Sequence, residues 1–96
     1  MNTLTKDYHA SLIEDLRDPE EAAAYLNAAL DAQDMATFLL ALRNVAEATG
    51  MSALAAKAQL NRESLYRMLS EQGNPQFSSV LALMKALDIK LAVAAQ

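Results

Sequence analysis

The stretch from Met51 to Ser70 constrains the fold more tightly than any other part of the chain. Two helices that cross steeply through a turn of three or four residues dictate the chemistry of roughly twenty positions. Counting from Met51, the fourth, eighth, tenth, fifteenth and eighteenth positions should be apolar, and they hold Leu54, Ala58, Leu60, Leu65 and Met68. The fifth must be small, because the two helices approach closely there, and it is Ala55. The ninth lies in the turn, where a positive φ favours glycine. It holds Gln59 instead, at a cost on the order of 1 kcal/mol in a left-handed conformation. A packed domain tolerates that cost, so the spacing predicts a helix-turn-helix.

The rest of the chain also reads as helical. Two glycines and two prolines interrupt 96 residues in which Ala and Leu are frequent, a composition that favours helices over strands. Leu12, Ile13 and Leu16 form one apolar stripe over Tyr8 to Arg17. Asp18-Pro19-Glu20-Glu21 is a helix start: Asp18 can cap, Pro19 suits the first helical position, and Glu21 stands at the capping-box position. That helix runs to about Ala32, with Ala22, Tyr25, Leu26, Ala29 and Leu30 on its apolar face. Asp34 opens the next helix, and Gly50 ends it as a left-handed cap. Ser52 is expected to cap a short helix through about Ala58, Asn61 one through about Glu71, and Ser78 one through about Leu87. Gln72-Gly73-Asn74-Pro75 is a break. The tail Ile89 to Val93 alternates as a short strand would. A lone strand needs a partner edge from another chain; otherwise the tail is a frayed extended end. The expected fold class is all-α, a helix-turn-helix bundle with an N-terminal helical extension over 1–34 and the DNA-binding unit with its tail over 35–96.

Charge divides at the same place. Residues 1–34 hold two basic residues against eight acidic ones, a net of −6; residues 35–96 hold six against four, a net of +2, and together these give the overall −4. Two partners of opposite charge would explain the asymmetry; so would solvated helix faces and acidic helix starts. The chain has no cysteine and one histidine, His9. That excludes disulfides and thiolate metal sites and leaves little from which to build a catalytic triad. His9 lies near the chain end, where solvation is its ordinary fate. Acidic pairs such as Glu14-Asp15 fall on helix surfaces, and no glycine loop suits a phosphate. No catalytic residue, cofactor or metal is expected. No apolar run reaches the roughly 18 residues of a membrane span, and the N-terminal residues lack a secretory core, so a cytoplasmic location is expected.

On the second helix of the motif, Asn61 stands at the N-cap, Arg62, Glu63 and Ser64 in the first turn, and Arg67 one turn later. Residues placed in this way reach base edges in the major groove of double-stranded DNA. Arg reads guanine through O6 and N7, and Glu accepts from the cytosine amino group. Tyr66 could stack or contact the sugar and phosphate. Ser52 and the amides beside it suit one phosphate, and Gln76, Ser78 and Ser79 suit a second. The alternative is a helical bundle with a mixed-charge outer face, in which Glu63 and Arg67 form an i, i+4 pair. Electrostatics supplies much of DNA affinity, so a domain of charge +2 is expected to bind as a homodimer or in a larger assembly.

Leu60-Asn61-Arg62-Glu63-Ser64-Leu65-Tyr66-Arg67-Met68-Leu69-Ser70, followed by Gly73-Asn74-Pro75 and Phe77, resembles the probable addiction-module antidote family, small HigA-like antitoxins with an Xre or lambda-repressor type of helix-turn-helix. The front segment Asp18 to Leu30 and the tail Leu87 to Leu91 are similar to that family too, so the resemblance covers nearly the whole chain. Gln59 and Asp88 depart from it where glycine is common. The resemblance implies a type II toxin–antitoxin module: an antitoxin that blocks a RelE- or HigB-like toxin, a small basic ribonuclease, and represses its own operon as a dimer on a palindrome. Toxin contacts are then expected at Tyr8, Leu12, Leu16, Tyr25 and Leu26; ordinary core packing accounts for the same five residues equally well. The competing readings are a solitary transcriptional regulator and a protein-interaction module without DNA binding.

Overall fold

Side-chain caps set three of the helix starts. The computed structural model describes residues 3–95, with side chains over 7–95. Six helices follow one another: α1 (Thr3–Asp15), α2 (Pro19–Asp31), α3 (Met35–Thr49), α4 (Met51–Lys57), α5 (Arg62–Met68) and α6 (Phe77–Ala86). The fold is all-α, with no strand among the described residues. Asp18 accepts from the Glu20 amide at 3.0 Å to open α2. Asp34 accepts from the Thr37 amide at 3.3 Å and the Thr37 hydroxyl at 2.7 Å to open α3. Asn61 accepts from the Glu63 and Ser64 amides at 2.8 and 3.4 Å to open α5. Each bond satisfies donors that a helix start leaves without partners.

Two expected caps fail. The helix starts assigned to Ser52 and Ser78 lie earlier, on Gly50 and Gln76, with no side-chain cap bond at either. Gly50 takes φ 104 and ψ 117, outside the expected left-handed helical well but open to glycine, and serves as both the C-cap of α3 and the N-cap of α4. Its amide donates to the Ala46 carbonyl at 2.9 Å, and its carbonyl accepts from the Leu54 amide at 3.0 Å. Ser52 and Ser78 are exposed residues inside the first turns. Helix α5 stops at Met68, short of the expected Glu71, because the chain folds back over its end. A Cβ on Gly73 would lie 2.2 Å from the Met68 carbonyl oxygen, so only glycine fits this return. Helix α1 begins at Thr3, ahead of the apolar stripe that predicted it.

Helix α3 packs against α1, α2 and α4, and α4 packs in turn against α5 and α6. Leu39, Leu42 and Val45 of α3 meet Leu26, Leu54, Leu65, Leu69 and Leu83 in a core where each side chain is essentially sealed from solvent. Burying one such side chain contributes about 1.5–3 kcal/mol. Leu16, Ala22 and Ala29 belong to the same cluster, so the front helices share the core of the rest. Asn44 is the one buried polar residue among those described. Its amide Nδ2 donates to the Tyr25 hydroxyl at 2.9 Å, tying α3 to α2. His9 sits beside Glu47 at 3.4 Å, linking α1 to α3 at the surface rather than standing free. The tail forms no strand within the single chain: Ile89 rests on the core and its amide donates to the Met84 carbonyl, whereas Val93 stands in solvent. No described helix is long and apolar enough to cross a membrane.

Tyr25→Phe leaves the Asn44 amide buried without its partner, which costs about 1–3 kcal/mol; urea denaturation of the variant should show that loss. The hydrogen bonds from Thr37, its hydroxyl foremost, hold the Asp34 carboxyl below its ordinary value. A carboxyl lowered by folding stabilises above its unfolded pKa, and the contribution is lost as pH falls through the folded one. Asp34→Ala should therefore lower the urea midpoint at neutral pH, and the gap from wild type should close as pH falls below about 4.

Candidate nucleic-acid interface

The turn between α4 and α5 is built by backbone hydrogen bonds that need a left-handed residue. Gln59 supplies it, with φ 58. The Leu60 amide donates to the Ala55 carbonyl at 2.8 Å, and the Gln59 amide donates to the Ala56 carbonyl at 3.2 Å. This is the Schellman arrangement, in which two late carbonyls of a helix are satisfied by the residues that leave it. The departure from glycine is thus real in conformation, and the turn closes regardless. All six spaced positions do what the crossing requires. Leu54, Ala55 and Leu65 are core, and Ala58, Leu60 and Met68 pack against it.

With its inner face buried, α5 turns the opposite side outward. Arg62, Glu63, Ser64, Tyr66 and Arg67 are all exposed. Arg62 donates to the Tyr66 hydroxyl at 3.4 Å, and its guanidinium carbon lies 5.5 Å from the ring centroid. Arg67 lies 4.0 Å from Glu63, the i, i+4 pair anticipated from spacing. Both arginines therefore rest against their own helix. An exposed pair of this kind contributes about 0.3–0.5 kcal/mol, so either arginine is free to move to a better partner.

A surface cleft of about 410 Å³ runs between α5 and the start of α6. Ser64, Arg67 and Ser79 line it, together with Ser70 at the end of the motif and with Gln72 and Asn74, which the sequence showed only as a break. Ser52, Arg62, Gln76 and Ser78 do not line this cleft, although all four are exposed. The one signal for Asn74 was its place beside Gly73 and Pro75, where a loop returns to the helix it left. Lys57 points elsewhere and sits 3.5 Å from Asp88. No cluster of three or more metal-ligating side chains occurs among the described residues.

On the front helices the five anticipated contact residues separate by depth. Leu16 and Leu26 are 4% and 1% exposed and serve as core. Leu12 and Tyr25 are half-buried against it, and Tyr8 is 73% exposed. The acids of this segment from Asp7 to Asp34 all face solvent.

Replacing Gln59 with glycine removes a left-handed conformation that costs a side chain about 1 kcal/mol. Gln59→Gly should raise the melting temperature by a few degrees, about 4–8 °C per kcal/mol for a domain of this size, as calorimetry would register.

A family model described as "Probable addiction module antidote protein" matches residues 6–95. An uncharacterized protein of Haemophilus influenzae is 39% identical over 93 residues, which cover 97% of this chain and 94% of that protein. No solved structure matches the chain. With nearly all of its described length matched, the chain belongs to the probable addiction module antidote family.

Proposed function

We propose that the chain is the antitoxin of a type II module, which holds a RelE- or HigB-like toxin and represses its own operon in the cytoplasm by binding operator DNA as a homodimer. Family membership already carries the antidote role and, with it, a toxin partner. It also favours a regulatory over a catalytic protein. The observation that carries the DNA half is the exposed polar face of α5, presented by a buried inner face and a closed turn.

In this reading α4 and α5 form the DNA-binding helix-turn-helix, and residues 35–96 do the work of repression. Arg67, Arg62 and Glu63 reach base edges, while Asn61 fixes the helix start and Ser64 and Tyr66 contact the backbone. Ser52 on one side, and Gln76 at the N-cap and Ser78 in the first turn on the other, approach phosphates from exposed positions. Magnitudes favour the transfer of Arg67 from Glu63 to a base. A bidentate guanine contact discriminates by about 1–3 kcal/mol, against a few tenths for the surface pair.

Residues 1–34 take the toxin half. Their exposed acids, net −6 over the segment, complement a basic ribonuclease and would speed its capture. Tyr8 and the outer edges of Leu12 and Tyr25 supply apolar contact, and Leu16 and Leu26 support them from the core.

The purified chain, alone and with its toxin, should retard a fragment of its own promoter at low salt; failure in both states sinks the DNA reading. Arg67→Ala should weaken operator binding about tenfold or more, with circular dichroism unchanged. Unaltered affinity would mean that α5 is not the reading helix.

A further inference from the structure

An apolar groove of about 250 Å³ opens where the α2–α3 corner meets α6 and the tail. Leu30, Met35 and Phe38 line it from the corner, Phe77 and Val80 from α6, and Leu91 from the tail. None of its lining residues is charged. Met35 and Phe77 are 60% and 64% exposed and line the same groove, so a partner seated there would take both from water.

The two ends of the groove differ in sign. At the corner it continues, through Leu30, Met35 and Phe38, into a depression that carries Asp34. Beyond Met84 and Leu91 it continues into another that carries Lys85 and Lys90. The two depressions share no residue. Asp88 also lies at the basic end, 3.5 Å from Lys57, and the two lysines there still outnumber it.

A partner of a single sign matches one end of such a groove and is repelled by the other. A second copy related by a two-fold axis matches both, because in an isologous contact each end meets its opposite twice. We infer that the groove docks a second copy of this chain, Met35 and Phe77 forming the apolar centre and Asp34 of each protomer facing the lysines of the other. The inference deepens the dimer named above and gives it a surface. That surface adjoins the α5 cleft, since Pro75 lines both.

Sedimentation velocity on the full chain, without toxin or DNA, tests this. Wild type should sediment as a dimer. Met35→Glu and Phe77→Glu should each sediment as monomers with unchanged helical circular dichroism, since both sit at a helix start where an acid is favourable. Lys90→Glu removes its charge pair twice in a two-fold dimer and should weaken the dimer about tenfold, roughly 1.4 kcal/mol over the two pairs together. Adding Asp34→Asn, which keeps a capping oxygen, should restore part of the loss. A wild-type monomer at every concentration overturns the inference, as do dimeric Met35→Glu and Phe77→Glu variants. Variants that lose the toxin while wild type is monomeric give the groove to the toxin instead. A dimer that fails to bind promoter DNA refutes the DNA reading and leaves this surface standing.

Discussion

The burial of α3 is the constraint on which the other helices depend. Leu39, Leu42 and Val45 are sealed on a single helix that α1, α2 and α4 all touch. Removing α3 from the core would leave the front helices without a surface and α4 without an anchor. Helix α5 reaches the core through α4 and its own Leu65, so the position of its outward face is inherited from α3 at one remove. The bond from Asn44 to Tyr25 adds direction to this packing. Apolar contacts tolerate small slides, but a buried amide with one partner fixes the register of α2 on α3.

The features legible in the sequence were those in which one residue type answers one physical demand. Asp18, Asp34 and Asn61 each stand where a helix start needs an acceptor, and each accepts. The six spaced positions of α4 and α5 were legible for the same reason, since a close helix crossing leaves little choice of side chain. Ser52 and Ser78 were misread because serine suits both a cap and the first helical turn. Backbone geometry at Gly50 and Gln76 decides between the two, and a sequence does not display it. The end of α5 was missed because Gly73 acts over distance, through a carbonyl five residues earlier.

The candidate site was legible in part. The outward face of α5 follows from the burial of Leu65 and Met68 and could be listed residue by residue. The cleft beside it could not, because Asn74 and Ser79 reach it only through the return of the loop onto α5. On the front helices an amphipathic stripe shows which residues leave water but not what covers them. Leu16 and Leu26 turned out to be covered by the chain itself, and Tyr8 by nothing within it.

Gln33, Gln59 and Asp88 all take φ near +55°, one just beyond the end of each of α2, α4 and α6. Each position suits glycine and is filled by a residue with a side chain. At about 1 kcal/mol apiece, the three turns together remove about 3 kcal/mol from a total that in a domain of this size is commonly 5–15 kcal/mol. Expressed as a population, the unfolded fraction is about a hundredfold larger than glycine at the same three positions would allow, before the greater freedom of glycine in the unfolded chain is counted. Part of the balance between the closed and open chain is therefore decided at three solvent-facing turns rather than in the core.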